Sequence, residues 1–106
     1  MSRQNIQVNK TTGELIREAR EKKGLLLRQL AAYLEMDQAI LSKIERGERK
    51  ATREQILKAA PFLGLNKKNL LIQYLSENIA YDLYEEDVAN QALKVAEKKI
   101  KYLKSN

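Results

Sequence analysis

A chain of 106 residues with 43% hydrophobic side chains has room for one domain, or one domain and an appendage, around a small core. It contains neither cysteine nor histidine, which excludes disulfides, thiolate metal sites, a cysteine nucleophile and the commonest acid–base group. A formal net charge of +6 favours an anionic partner without identifying one.

Residues 1–10 are polar and aperiodic and read as a flexible arm. Thr11 and Glu14 have capping-box spacing and open a helix that runs to about Lys23, with Leu15, Ile16 and Ala19 facing inward. Gly24 sits where such a helix needs a left-handed residue to stop. A second helix covers about Leu27 to Leu34, with Leu30, Ala31 and Leu34 inward. Asp37 caps a third, and Gly47 ends it. Thr52 and Gln55 repeat the capping-box pair and start a fourth helix that ends before Gly64, with Pro61 bending or tightening its last turn. Asn66 caps a fifth, carrying Leu70, Leu71, Tyr74 and Leu75. Residues 79–84 alternate in a way that fits a short strand or a continuation of the fifth helix, the helix being preferred. A sixth helix is expected from about Glu86 to Lys104, with Glu85, Glu86 and Asp87 early and Lys98, Lys99, Lys101 and Lys104 late, as the helix dipole favours.

The third helix carries the chemistry. At 100° per residue Ile40, Leu41 and Ile44 cluster on one side, while Ala39, Ser42 and Arg46 point away, flanked by Gln38 and Lys43. A helix that hides one side and offers small, amide and basic groups on the other suits the DNA major groove. Gln38 can pair with adenine in both donor and acceptor senses, Ala39 can meet a thymine methyl, Ser42 either class of base edge or a phosphate, and Lys43 guanine or the backbone. A basic cluster of Arg46, Arg49, Lys50 and Arg53 follows directly. The plain alternatives are a solvated amphipathic helix and an exposed charged loop.

Residues 12–75 resemble the lambda-repressor-like, or XRE, helix-turn-helix family. The resemblance is carried by Arg20 with Gly24, Leu30-Ala31, Leu34, Ile44-Glu45-Arg46-Gly47 and Leu63-Gly64-Leu65. It implies an all-α fold: a five-helix helix-turn-helix domain over residues 11–78, here followed by a C-terminal helical extension over 79–106. It implies an ion pair between Arg20 and Glu45. It also implies base reading by Gln38, Ala39, Ser42 and Lys43, and phosphate contacts from Arg46, Lys50 and Arg53, which the neighbouring Arg49 would join. Two positions depart from the family pattern. The start of the second helix is usually polar and clamps a phosphate. Here it is Leu25-Leu26-Leu27, which leaves Arg28 as the nearest phosphate contact and frees the leucines to pack on another element, such as the C-terminal helix. The turn position usually held by glycine is Glu35, at a cost of about 1 kcal/mol if it is left-handed.

In the tail, Ala89, Leu93, Ala96, Ile100 and Leu103 step by four, three, four and three, a coiled-coil seam over about two heptads. This helix can pair with a second subunit or fold back on its own domain. Pairing would present two recognition helices about 34 Å apart to a palindromic site.

Without histidine, cysteine or a phosphate-cradling glycine loop, an enzyme is not expected, and neither a cofactor nor a metal site is expected. No run approaches ~18 apolar residues, so no membrane span is expected. The reading is a cytoplasmic, nucleoid-associated regulator of transcription, a repressor or autoregulator. It would bind double-stranded operator DNA as a homodimer through a helix at about residues 37–46. The alternative is an antitoxin-type interaction module with a co-encoded protein partner.

Overall fold

The computed structural model describes residues 6–106, which form the helices α1 (Thr12–Lys22), α2 (Leu27–Tyr33), α3 (Gln38–Glu45), α4 (Arg53–Phe62), α5 (Lys67–Leu83) and α6 (Ala89–Lys104), with no strand among the described residues. The fold is all-α: a five-helix helix-turn-helix domain with a C-terminal helix.

Helix starts follow the side chains that satisfy their free amides. Thr11 Oγ1 accepts from the Glu14 amide at 3.0 Å, and Glu14 Oε1 accepts from the Thr11 amide at 2.8 Å. Thr52 and Gln55 repeat this at α4, at 3.1 and 2.9 Å. Asp37 accepts from the amides of Ala39 and Ile40, so α3 begins with two of its orphan donors satisfied. At α2 the leucines provide no polar cap, and only Gln29 Oε1 reaches back, to the Leu26 amide at 2.7 Å. Leu25 and Leu27 pack against the core while Leu26 stays exposed, so this triplet closes its own domain rather than meeting α6.

Between α2 and α3, Glu35 takes the left-handed conformation, with φ 55°. Its amide donates to Ala32 O at 3.1 Å, and Met36 N donates to Ala31 O at 3.0 Å. These bonds satisfy the last carbonyls of α2, which offsets the side-chain penalty at a position glycine would occupy without strain. Pro61 lies inside the last turn of α4, where the Leu63 amide is shared between Ala59 O and Ala60 O, a tightened end rather than a break.

The core gathers Ile16 and Ala19, Leu30 and Ala31, Leu34, Leu41 and Ile44, Ile56, Ala59, Ala60 and Leu63, and Leu70 with Tyr74. Every helix from α1 to α5 therefore contributes. The Tyr74 hydroxyl donates to Ala51 O at 2.7 Å and ties α5 to the loop that follows α3.

The preferred reading of residues 79–83 as helix is met, while the start of α6 shifts. Residues 79–83 continue α5, because one helix satisfies their backbone internally whereas a strand would need a partner. α5 runs unbroken across residue 78, so the extension proposed from residue 79 begins inside a helix. α6 starts at Ala89 rather than near Glu86, which leaves Glu85, Glu86 and Asp87 in the preceding turn. Residues 7 and 10 make contacts with α5 and α1. Gln73 Nε2 donates to Gln7 O at 3.0 Å and to Lys10 O at 3.3 Å, and Lys10 pairs with Glu18 at 2.8 Å. The rest of the expected N-terminal arm, residues 1–5, lies outside the described residues.

α6 stands apart. It has no buried residue. The radius of gyration is 15.6 Å, against about 13 Å for a fully compact chain of this length.

Candidate nucleic-acid interface

The position of α3 is fixed from behind by backbone contact and by charge. Gly13, in the first turn of α1, lies so close to the end of α3 that a Cβ there would sit 2.0 Å from Ile44 O. Beside it, Arg20 forks onto Glu45, with Nε to Oε2 at 2.8 Å and Nη2 to Oε1 at 3.0 Å. The guanidinium's remaining nitrogen donates to Leu25 O at 2.8 Å. One side chain thus joins α1, the entry to α2 and the end of α3. Glu45 is only 4% exposed, and the Arg20 guanidinium supplies its counter-charge and hydrogen bonds there. Hydrogen bonding to Glu45 raises Arg20 above its ordinary pKa, against the lowering effect of burial.

Glu77 of α5 completes the anchorage. Its Oε1 accepts from the Thr12 amide at 2.6 Å and from Thr12 Oγ1 at 3.0 Å, placing a carboxylate at the positive end of α1.

With Leu41, Ile44 and Glu45 buried, the other side of α3 is open. Gln38, Ala39, Lys43 and Arg46 are exposed, Ser42 is half-buried, and Ile40 packs against the core. Gln38 is the first residue of the helix, where a groove-entering helix makes its contacts. Arg28 is exposed in the first turn of α2, Arg49 and Lys50 in the loop after α3, and Arg53 at the start of α4. Lys43 and these four cations pair with no carboxylate among the described residues, which leaves them available to an anion.

Arg46 differs from them. Its Nε and Nη2 donate to the two oxygens of Glu48 at 3.0 and 3.1 Å, and its Nη1 donates to Ser42 Oγ. Two of the sequence-derived contact residues are therefore already linked to each other and to an acid. Hydrogen bonding to Arg46, then its charge, pulls the Glu48 carboxyl below its ordinary pKa.

Gly13, Glu77 and the Glu48 clamp are not visible in the pattern that picks out α3. Of the three, only Glu48 had a local signal, as an acid two residues from Arg46 inside a basic run. Among the described residues, no group of acidic side chains is arranged to hold a metal ion and no helix is long and apolar enough to cross a membrane.

A buried-side-locked α3, its capped turn from α2 and an open polar face define a helix-turn-helix module, and residues 16–68 match the helix-turn-helix family. The chain belongs to that family, of the XRE type, whose members are DNA-binding transcriptional regulators rather than enzymes. Among solved structures it is similar to the restriction-modification controller protein C.AhdI from Aeromonas hydrophila. The two are 34% identical with a TM-score of 0.51, over 56% of this chain and 89% of that one. No curated protein matches the sequence. The family match ends at residue 68, so most of α5 and all of α6 lie beyond it.

Proposed function

We propose that this regulator binds a palindromic operator as a homodimer, with α3 of each copy in the major groove. The observation that carries the reading is the open side of α3: Gln38, Ala39 and Lys43 lie uncovered on a helix whose opposite side is locked to α1. In this reading Gln38, Ala39, Ser42 and Lys43 read bases. Arg28, Arg49, Lys50 and Arg53 contact phosphates, joined by Arg46 when it leaves Glu48. Residues 11–78 bind DNA and residues 79–106 hold the dimer through Ala89, Leu93, Ala96, Ile100 and Leu103. Similarity to a restriction-modification controller supports a regulator of transcription, which we read as a repressor or autoregulator in a nucleoid-associated setting.

The chemistry divides the work. Phosphate contacts supply affinity without sequence information, and the few groups on α3 supply selectivity. Selection of bound duplexes from a random pool tests this directly. The expected outcome is an inverted repeat with half-sites about one helical turn apart. Recovery of no preferred sequence would remove the regulator reading, and a single unrepeated half-site would remove the dimer.

A further inference from the structure

α6 offers solvent an apolar side with nothing upon it. No residue of the helix is buried, and Ile100 and Leu103 near its end are 50% and 70% exposed. The helix is also electrically lopsided. Lys98, Lys99, Lys101 and Lys104 crowd its last two turns, while the turn before it holds Glu85, Glu86 and Asp87. The helix dipole accommodates that order of charges but leaves the apolar side uncovered.

A second copy can cover it in two orientations, and charge separates them. Parallel pairing sets the lysine-rich ends of both copies side by side, and both acidic turns likewise. Antiparallel pairing sets each lysine-rich end against the partner's acidic turn. We infer that α6 pairs antiparallel with α6 of a second copy of this chain, its basic C-terminal end resting on the partner's α5–α6 turn. This rests on the homodimer reading above and adds to it an orientation and a second contact area.

Shape agrees, and α6 alone supplies only about a third of the area a stable interface buries on each partner. Ala96 is the midpoint of the seam from Ala89 to Leu103, so the two-fold axis passes a small side chain that permits close approach. A 16-residue helix is about 24 Å long and ~10 Å across, a footprint on the order of 250 Å². A stable interface needs roughly 800 Å² per partner. About a two-fold axis at Ala96, the antiparallel arrangement sets Ile100 against the partner's Ala92 and Leu103 against the partner's Ala89 and exposed Val88, twice by symmetry.

The natural chain has no cysteine, so introduced thiols report without background. Three variants decide the orientation under mild oxidation, none of them at a buried position: Ala96→Cys, Ser105→Cys, and Val88→Cys with Ser105→Cys. Antiparallel pairing predicts that Ala96→Cys links two copies and that the double variant links them. Ser105→Cys alone stays unlinked, because its two sulfurs are roughly 27 Å apart, far beyond disulfide reach. Efficient linkage of Ser105→Cys alone means a parallel pair and overturns the inference while keeping the dimer. A dimer by solution mass in which neither Ala96→Cys nor the double variant links also overturns it, since α6 is then not the seam. A monomer by solution mass removes both the inference and the homodimer reading.

Discussion

Arg46 shows how one residue can be both a candidate contact and a restrained one. Its guanidinium is held by Glu48 and Ser42, and an exposed pair of this kind is easily displaced by a phosphate. Because Glu48 is pulled below its ordinary pKa, the pair's contribution is present above the ordinary carboxylate range. It is lost only as pH falls through the lowered value, so neutral solution does not open it. Replacing Glu48 with Gln removes the competing charge. We expect tighter binding to every duplex by a few-fold, with a salt slope steeper by ~0.9 in log K per log salt if Arg46 gains a phosphate. Anisotropy titrations over a salt series read both quantities, and unchanged affinity and slope would show that the clamp is irrelevant. Gln38 predicts a different pattern. Gln38→Ala is expected to cost about 1–3 kcal/mol on the preferred duplex and to relax selectivity at one base pair. Equal weakening on all duplexes would take Gln38 out of base reading.

At the level of elements, the angle between α1 and α3 decides what α3 can present. Gly13→Ala puts a helix-favouring residue at a buried position of α1 and by propensity alone would gain up to about 1 kcal/mol. The close approach to Ile44 O reverses that sign, because neither backbone can yield without moving a helix. A net loss of about 1–3 kcal/mol is expected in urea unfolding, accompanied by weaker DNA binding. Glu45→Gln tests the second tie. It leaves the Arg20 guanidinium without its counter-charge in a site where Glu45 itself is 4% exposed. A loss of about 3 kcal/mol is expected, the low end for a broken buried pair because Arg20 keeps some solvent. The same melt on Glu48→Gln should show almost no change, since that pair is fully solvated. The element boundaries themselves were largely written in the chain. Thr11-Glu14, Asp37, Thr52-Gln55 and Asn66 all cap where their spacing says they should. The start of α6 was harder to read, because acids are favoured both inside a first turn and in the turn before it.

For the whole molecule the question is what α6 contributes. Nothing in the core from Ile16 to Tyr74 depends on it. A chain ending at Glu86 should therefore keep a cooperative melt. If the extension holds two copies together, the full chain's melting temperature should rise with protein concentration and the shortened chain's should not. Calorimetry at two concentrations separates these. Equal concentration dependence in both would place the dimer contact elsewhere.

Local rules are enough to determine much of this protein. Caps, the apolar period of 3.6 and the sidedness of Gln38, Ala39, Ser42 and Lys43 depend on neighbours within a few residues, so they can be read along the chain. The family resemblance added the pairing of Arg20 with Glu45, which no local pattern contains. Only the tertiary structure decided the rest. Gly13 against Ile44 O, Glu77 on the start of α1 and Gln73 on the carbonyls of residues 7 and 10 join groups more than 30 residues apart, and a distance of that kind has no signature in the chain. The fate of α6 was open for the same reason. An apolar stripe says that a helix has something to bury, and packing alone decides whether its own domain supplies the surface.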